Sequence, residues 1–146
     1  MGSNLERVVR ASHKPVLVAS RAFLPIERFL IAFDGGPSAA KAVEQIARSP
    51  LLRGLDCRLL TVGTETDEAR QRLDAAADRL RHAGFTVEAG FEAGLPDDTI
   101  ARAVEQGGAG LLVMGAYGHS RIRSLIVGST TTAMVRSCRI PVLLIR

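Results

Sequence analysis

Short apolar runs alternate with longer amphipathic segments along residues 28–145, and this alternation narrows the possible folds more than any other feature. Runs typical of buried strands are "RFLIAF", "DCRLLTV", "FTVEAGF", "GLLVMG" and "IPVLLI". Between them apolar residues recur at helical spacing, as do Leu73, Ala76, Ala77 and Leu80. Strands that alternate with helices predict a parallel sheet covered by helices on both faces. The sequence therefore predicts an α/β fold.

Length and composition indicate one globular domain. The chain has 146 residues, of which 47% are hydrophobic and 23% are charged. The longest apolar runs are too short to span a bilayer, and the N-terminus lacks a charged segment followed by an apolar one. We therefore expect a cytoplasmic protein without a membrane partner.

Charge and cysteine usage argue against two further classes of function. The net charge of +4 comes from arginines spread along the chain rather than from a basic patch, so we expect no nucleic-acid partner. Arg121 and Arg123 are the exception, because they could either reach phosphates or remain solvated in a loop. Cys57 and Cys138 are isolated in apolar segments, which favours reduced buried thiols over a metal or redox site.

Three glycines follow the fourth strand in a pattern suited to binding phosphate. Gly115, Gly118 and Gly128 are spaced G-x-x-G-x9-G, and Ser129 and Thr130 come directly after them. Glycine allows positive φ and close approach of the backbone, and a helix N-terminus offers unpaired amides to an anion. The alternative is an ordinary turn at the first two glycines and a serine that only caps its own helix.

Asp34 ends the first core strand, as Gly115 ends the fourth. Ligands of open α/β sheets bind beyond the carboxyl ends of the strands, where the strand order reverses. If these two strands are neighbours, Asp34 faces the same crevice and could bond the ligand or help to hold its metal ion. Asp34 could equally be a turn residue before Gly35 and Gly36, and the two roles are compatible.

Residues 27–146 resemble the universal stress protein family, of the ATP-binding type. The resemblance runs through "FLIAFDGGPSAAKAVE", "LLTVGTE", "GAYGHSRIR" and "VGSTTTAMVRSCRIPVLLI". It implies an open five-stranded parallel sheet of order 3-2-1-4-5, with helices on both faces, as in adenine nucleotide alpha hydrolase-like folds. It also implies ATP, accompanied by magnesium, as the ligand.

The resemblance also assigns the candidate binding residues by position. The main chain at Val62 and Gly115 would flank adenine and ribose, with Met114 beside them. Asp34 matches the acidic residue after the first strand, and it would meet magnesium only indirectly, through Mg-ATP. The phosphates would be held by Gly118, Gly128, Ser129 and Thr130.

The N-terminus repeats the C-terminus. Residues 2–20 align without gaps with residues 128–146 and share Gly, Ser, Val, Arg, Pro, Val and Leu. We interpret residues 1–21 as the last helix and strand of a preceding universal stress protein repeat, and residues 27–146 as the domain itself.

An apolar strand left without a partner is an aggregation hazard. In this family the last strands of two domains pair with each other. We therefore expect residues 15–20 to lie along residues 141–146, either within one chain or across a homodimer.

No catalytic residue is assigned. His13, His82 and His119 lie in segments without a recognisable nucleophile or a paired acid. The favoured hypothesis is an ATP-binding stress-response module that signals or dimerises according to nucleotide occupancy. The alternatives are a nucleotide-free dimerisation domain of the same fold and, third, a slow ATPase in which His119 assists hydrolysis.

Overall fold

The computed structural model describes residues 7–8, 11–20, 24–116 and 139–146. These residues form one sheet and three helices that flank it. In chain order the elements are β1 (Val16–Val18), β2 (Arg28–Ala32), α1 (Pro37–Arg48), β3 (Asp56–Val62), α2 (Asp67–His82), β4 (Thr86–Glu92), α3 (Pro96–Gly107), β5 (Leu111–Gly115) and β6 (Val142–Ile145).

The strands lie in the order β1-β6-β5-β2-β3-β4. Strands β2 to β6 are mutually parallel, and counted from β2 they follow the predicted order 3-2-1-4-5, which is thereby confirmed. The chain builds outward from β2 through β3 to β4, then crosses to the other side of β2 to add β5 and β6. The order of strands therefore reverses between β2 and β5.

Strand β1 adds a sixth, antiparallel strand to the edge of β6, so the sheet is mixed rather than purely parallel. Leu17 lies opposite Leu143 in this pairing. The structure thus places the two segments expected to pair, residues 15–20 and 141–146, side by side within one chain. Before β1, residues 7, 8 and 11 are helical, and the Val8 carbonyl accepts a hydrogen bond from the Ser12 amide at 2.9 Å.

Helix α2 follows the predicted pattern closely. Thr66 caps its N-terminus, since the hydroxyl accepts a hydrogen bond from the Ala69 amide at 3.1 Å. Acidic residues occupy the first turn and basic residues the last, which suits the helix dipole. Its buried face consists of the four predicted residues, Leu73, Ala76, Ala77 and Leu80.

Two hydrophobic cores fill the faces of the sheet. One lies under α1 and α2 and includes Phe29 and Ile31, and the other lies under α3 and includes Leu30. Neighbouring residues of β2 therefore point to opposite cores, as the pleat requires. Cys57 is 2% exposed in the first core, and burial raises the pKa of its thiol to about 12, as expected for an inert reduced thiol. Cys138 lies outside the described residues.

Helices α1 and α2 are joined by an ion pair at the surface. The Arg79 guanidinium donates from Nε and from a terminal nitrogen to the two carboxylate oxygens of Glu44, both at 2.9 Å. Arg48 donates to the same carboxylate at 2.9 Å. None of the helices in the part of the chain described above is long and apolar enough to cross a membrane.

Candidate functional site

The carboxyl ends of β2, β3 and β5 meet at one edge of the sheet. Ala32 lies opposite both Leu60 on β3 and Met114 on β5. Asp34 follows Ala32 by two residues, and Val62 follows Leu60 by two residues. The register therefore brings these two candidate residues to the same edge of the sheet. The first and fourth core strands are neighbours, as the predicted crevice at the switch point requires.

Asp34 organises the turn between β2 and α1. Its Oδ1 accepts a hydrogen bond from the Gly36 amide at 2.8 Å, and Gly35 has φ of 79°, in the region that favours glycine. The predicted turn role is therefore observed. A carboxylate can accept about four hydrogen bonds, so the turn role is compatible with contact to a ligand.

The same turn brings the N-terminus of α1 to the crevice. The helix begins at Pro37, and its N-cap residue, Gly36, makes no side-chain capping bond. The positive end of the helix dipole therefore lies beside the carboxyl ends of β2 and β5. This arrangement favours a negatively charged group in the crevice.

Gly115 has a structural role that the sequence did not reveal. A Cβ built on this residue would lie 2.7 Å from the Ser38 Cβ and 3.1 Å from the Ala39 amide nitrogen. Glycine is required because the first turn of α1 packs directly on the end of β5. Ser38, only 7% exposed, is the residue that sequence reasoning missed. Its only signal was a small side chain near the start of a helix.

The side chains of Met114 and Val62 belong to the hydrophobic core under α3 or pack against it. Met114 is 4% exposed and belongs to the core under α3, against which the half-buried Val62 also packs. The next amide, Gly63 N–H, donates to the Glu92 carbonyl at 2.9 Å. A contact to adenine would therefore involve the main chain of Val62 itself, rather than the amide that follows.

The phosphate half of the expected site, Gly118, Gly128, Ser129 and Thr130, lies outside the described residues. His119, Arg121 and Arg123 lie there as well. Within the four described ranges, no group of three or more His, Cys, Asp or Glu side chains is placed to hold a metal ion. Among these residues, Asp34 is thus not part of such a group.

Comparison with known proteins identifies the family. The model of the universal stress protein family matches residues 60–146, more than half of the chain. The chain belongs to the universal stress protein family. Universal stress protein Slr1230 of Synechocystis is 40% identical over 148 residues, a match that covers 100% of this chain and 52% of that protein.

Solved structures share the fold of this chain. A universal stress protein from Archaeoglobus fulgidus superimposes with a TM-score of 0.79 at 24% identity, over 97% of this chain and 52% of that one. This universal stress protein chain therefore spans about half the length of both relatives.

Two solved relatives carry adenine nucleotides. A universal stress protein in complex with cAMP has a TM-score of 0.68 at 23% identity, over 84% of this chain and 98% of its own. A family member from Arabidopsis thaliana with AMP bound has a TM-score of 0.60 at 19% identity, over 83% and 91%. At these identities the likeness shows the shared fold, and the ligands are those of the relatives.

Proposed function

We propose that this universal stress protein binds ATP with magnesium in the crevice beyond β2, β3 and β5. Its nucleotide occupancy would then control a stress response in the cytoplasm. The observation that carries the proposal is the strand register, which brings Asp34, Val62 and Gly115 to one edge beside the N-terminus of α1. The cAMP and AMP complexes of two relatives support an adenine nucleotide as the ligand.

Each candidate residue has a distinct proposed role. The main chain at Val62 and Gly115 contacts adenine and ribose, and Met114 supports them from the core below. Asp34 accepts a hydrogen bond from the ligand while it holds its turn. The phosphates bind to Gly118, Gly128, Ser129 and Thr130. Magnesium, when bound, neutralises phosphate charge and is carried by the nucleotide.

The test begins with the purified protein. Denaturation followed by mass spectrometry should release an adenine nucleotide, and titration calorimetry should show heat with Mg-ATP but not with Mg-GTP. Gly118→Val should abolish this binding, because a branched side chain would enter the proposed phosphate loop. Asp98→Asn, an exposed acid in the first turn of α3, is the control and should bind normally. No released nucleotide and no heat with Mg-ATP would overturn the proposal.

We further propose that the protein forms a homodimer through residues 15–20 and 141–146. The observation that favours it is the antiparallel pairing of β1 with β6, which can form between chains by exchange of β1 with no change in register. Light scattering coupled to gel filtration should then give twice the chain mass of 15.6 kDa. A chain that remains monomeric at high concentration, with or without Mg-ATP, would contradict this part of the proposal.

The slow ATPase alternative depends on His119, which lies outside the described residues, and of the other histidines His82 can be placed relative to the crevice. His82 lies at the end of α2, with its Nδ1 2.7 Å from the Asp78 carbonyl oxygen. Because α2 runs back across the sheet from the crevice, this histidine lies at the opposite edge. It is therefore not placed to assist hydrolysis.

A further inference from the structure

The first turn of α1 buries a hydroxyl group, that of Ser38. This residue is 7% exposed, and within the described residues its Oγ takes part in no hydrogen bond. Buried polar groups of native proteins are hydrogen-bonded in the large majority of cases, so each exception requires an explanation. The Ser38 hydroxyl therefore indicates that a polar group of a ligand binds beside it.

Two backbone amides accompany this hydroxyl. The first helical hydrogen bond of α1 is donated by the Ala40 amide, to the Gly36 carbonyl at 3.0 Å. The amides of Ser38 and Ala39 come before it, and they have no acceptor in the part of the chain that the structure describes. Ala39 is 2% exposed. One hydroxyl and two amides are therefore buried side by side as donors available to a ligand.

Ser38 and Ala39 lie against the end of β5. A Cβ built on Gly115 would be 2.7 Å from the Ser38 Cβ and 3.1 Å from the Ala39 amide nitrogen. The lack of a side chain on Gly115 thus allows the first turn of α1 to reach the main chain of β5. In the proposed function this main chain contacts ribose, so the three donors lie next to the ribose. In a nucleotide, the ribose carries a phosphate.

The electrostatics of this turn suit a phosphate. Helix α1 has no acidic residue in its first turn, whereas α2 has Asp67 and Glu68 there and α3 has Asp97 and Asp98. The positive end of the α1 dipole is therefore not neutralised by side chains of its own first turn. Amide and hydroxyl donors at such a helix end bind phosphate oxygens through charge-assisted hydrogen bonds.

We propose that Ser38 and the first turn of α1 bind the phosphate attached to the ribose of the nucleotide. The inference rests on the proposed function and adds to it a phosphate contact outside the loop that carries Gly118 and Gly128. One phosphate on the ribose is then sufficient for binding, so AMP is a ligand. Adenosine, which lacks this phosphate, binds much more weakly. The hydroxyl of Ser38 thereby selects nucleotides over nucleosides.

Titration calorimetry with adenosine, AMP and Mg-ATP tests this selection. AMP should bind at least about tenfold more tightly than adenosine, because hydrogen bonds to a charged acceptor are lost with the phosphate. Ser38→Ala should weaken AMP binding about tenfold and leave the affinity for adenosine unchanged. It should not lower the melting temperature, since the hydroxyl has no protein partner among the described residues. The matched control is Ser49→Ala at the other end of α1, which should change neither affinity.

A charge at the helix start provides a second variant. Pro37 is exposed at the beginning of α1. Pro37→Glu places a negative charge beside the proposed phosphate, and Pro37→Gln adds a side chain of the same shape without the charge. The glutamate variant should bind AMP at least about threefold more weakly than the glutamine variant. The two should bind adenosine equally, and the glutamate variant should be no less stable, because an acid suits a helix N-terminus.

NMR spectra of the ¹⁵N-labelled protein distinguish failure of this inference from failure of the proposed function. Inorganic phosphate, a probe without a base, should shift the amide signals of Ser38 and Ala39, and AMP should shift the same two signals. If Mg-ATP and AMP do not bind but phosphate shifts both amides, the proposed function fails and the phosphate subsite stands. Equal affinities for AMP and adenosine would overturn the inference even if Mg-ATP binds. Amide signals that move with neither AMP nor phosphate would overturn it as well.

Discussion

At the residue scale, Gly115 is a position where a single added carbon should destabilise the fold. Gly115→Ala would place a Cβ 2.7 Å from the Ser38 Cβ and 3.1 Å from backbone of α1, which cannot move aside as a flexible side chain does. We expect a loss of roughly 1 to 3 kcal/mol in the free energy of unfolding, measured by urea denaturation.

The control for this substitution is Gly107→Ala at the end of α3, where nothing lies within 4 Å of an added Cβ. It should leave stability unchanged or raise it by up to about 1 kcal/mol, because alanine has less conformational freedom to lose than glycine. If Gly115→Ala proves as stable as the wild type, the close approach of α1 to β5 is not tight in solution.

Asp34 offers a second test at this scale. Asp34→Ala removes the acceptor for the Gly36 amide and should cost about 1 kcal/mol of stability. Asp34→Asn keeps an acceptor and should cost clearly less. Calorimetry with Mg-ATP on both variants separates the turn from the ligand role, since binding that depends on the carboxylate should weaken in both. An Asp34→Ala variant as stable as the wild type would show that the turn does not need this hydrogen bond.

The sequence predicted where Asp34 and Gly115 lie, but not all of the contacts around them. Asp34 and Gly115 could be placed at strand ends, because apolar runs show where strands stop. The contact of Gly115 with Ser38 and the bond from Gly63 to Glu92 depend on how separate elements approach each other. Contacts between separate elements cannot be predicted from the spacing of residues along one segment. The sequence therefore indicated only a ligand-binding role for Gly115, although packing against Ser38 also requires a glycine there.

At the element scale, the start of α2 depends on one hydroxyl. The apolar spacing of residues 73–80 does not fix where this helix starts, and it begins at Asp67 because Thr66 takes the N-cap position. Thr66→Ala should destabilise the protein by about 1 kcal/mol in urea denaturation. Thr64→Ala, an exposed threonine of the same loop, should be neutral. Equal losses in the two variants would assign the effect to the loop rather than to the cap.

The contact between α1 and α2 should give stability a dependence on pH. The hydrogen bond from the Arg79 guanidinium holds the pKa of the Glu44 carboxyl below its ordinary value of 4.5. A carboxyl whose pKa is lowered by folding stabilises the native state above its unfolded pKa, and this contribution is lost as pH falls through the folded pKa. Wild type should therefore exceed Glu44→Gln in stability at pH 7 and lose that advantage below about pH 4.

Denaturation curves at pH 7 and pH 3 provide the measurement for Glu44. Glu105→Gln, which replaces an exposed acid on α3, is the control. Its stability relative to the wild type should not change between the two pH values. An advantage of the wild type that persists unchanged at pH 3 would mean that the ionised carboxylate is not what joins the two helices.

Strand limits show how far element boundaries can be predicted. The run "IPVLLI" predicted a strand from residue 140, whereas β6 begins at Val142. Pro141 has no amide to donate, although its carbonyl accepts from the Leu112 amide at 3.0 Å. An apolar run can include residues such as Pro141 that lie before the paired part of the strand. Hydrophobicity therefore predicts the position of a strand better than the residue at which its pairing begins.

At the scale of the whole molecule, the crevice and the β1 edge should behave independently. Strand β1 is separated from β2 by β6 and β5. Leu17→Pro should release β1 and accelerate amide hydrogen exchange in β6, because proline removes an amide and disturbs the pairing. Calorimetry should show the same affinity for Mg-ATP as in the wild type. A tenfold loss of affinity would show that the two regions are coupled.

The architecture as a whole was only partly accessible to sequence reasoning. Alternating segments predict a parallel sheet, but they do not order its strands, since each crossover can place the next strand on either side. The order 3-2-1-4-5 came from the family resemblance. The repeat predicted a partner strand for residues 141–146, but a shared pattern holds no information on whether that partner belongs to the same chain.

The pairing of β1 with β6 joins two segments that lie far apart in the sequence, Val16–Val18 and Val142–Leu144. During synthesis Val16–Val18 therefore stays without its native partner until Val142–Leu144 has emerged. Closing so long a loop is entropically costly, so this contact should form late in folding. The nascent chain therefore carries an unpaired apolar strand from the synthesis of β1 until that of β6, and strand-to-strand aggregation is the hazard of that interval.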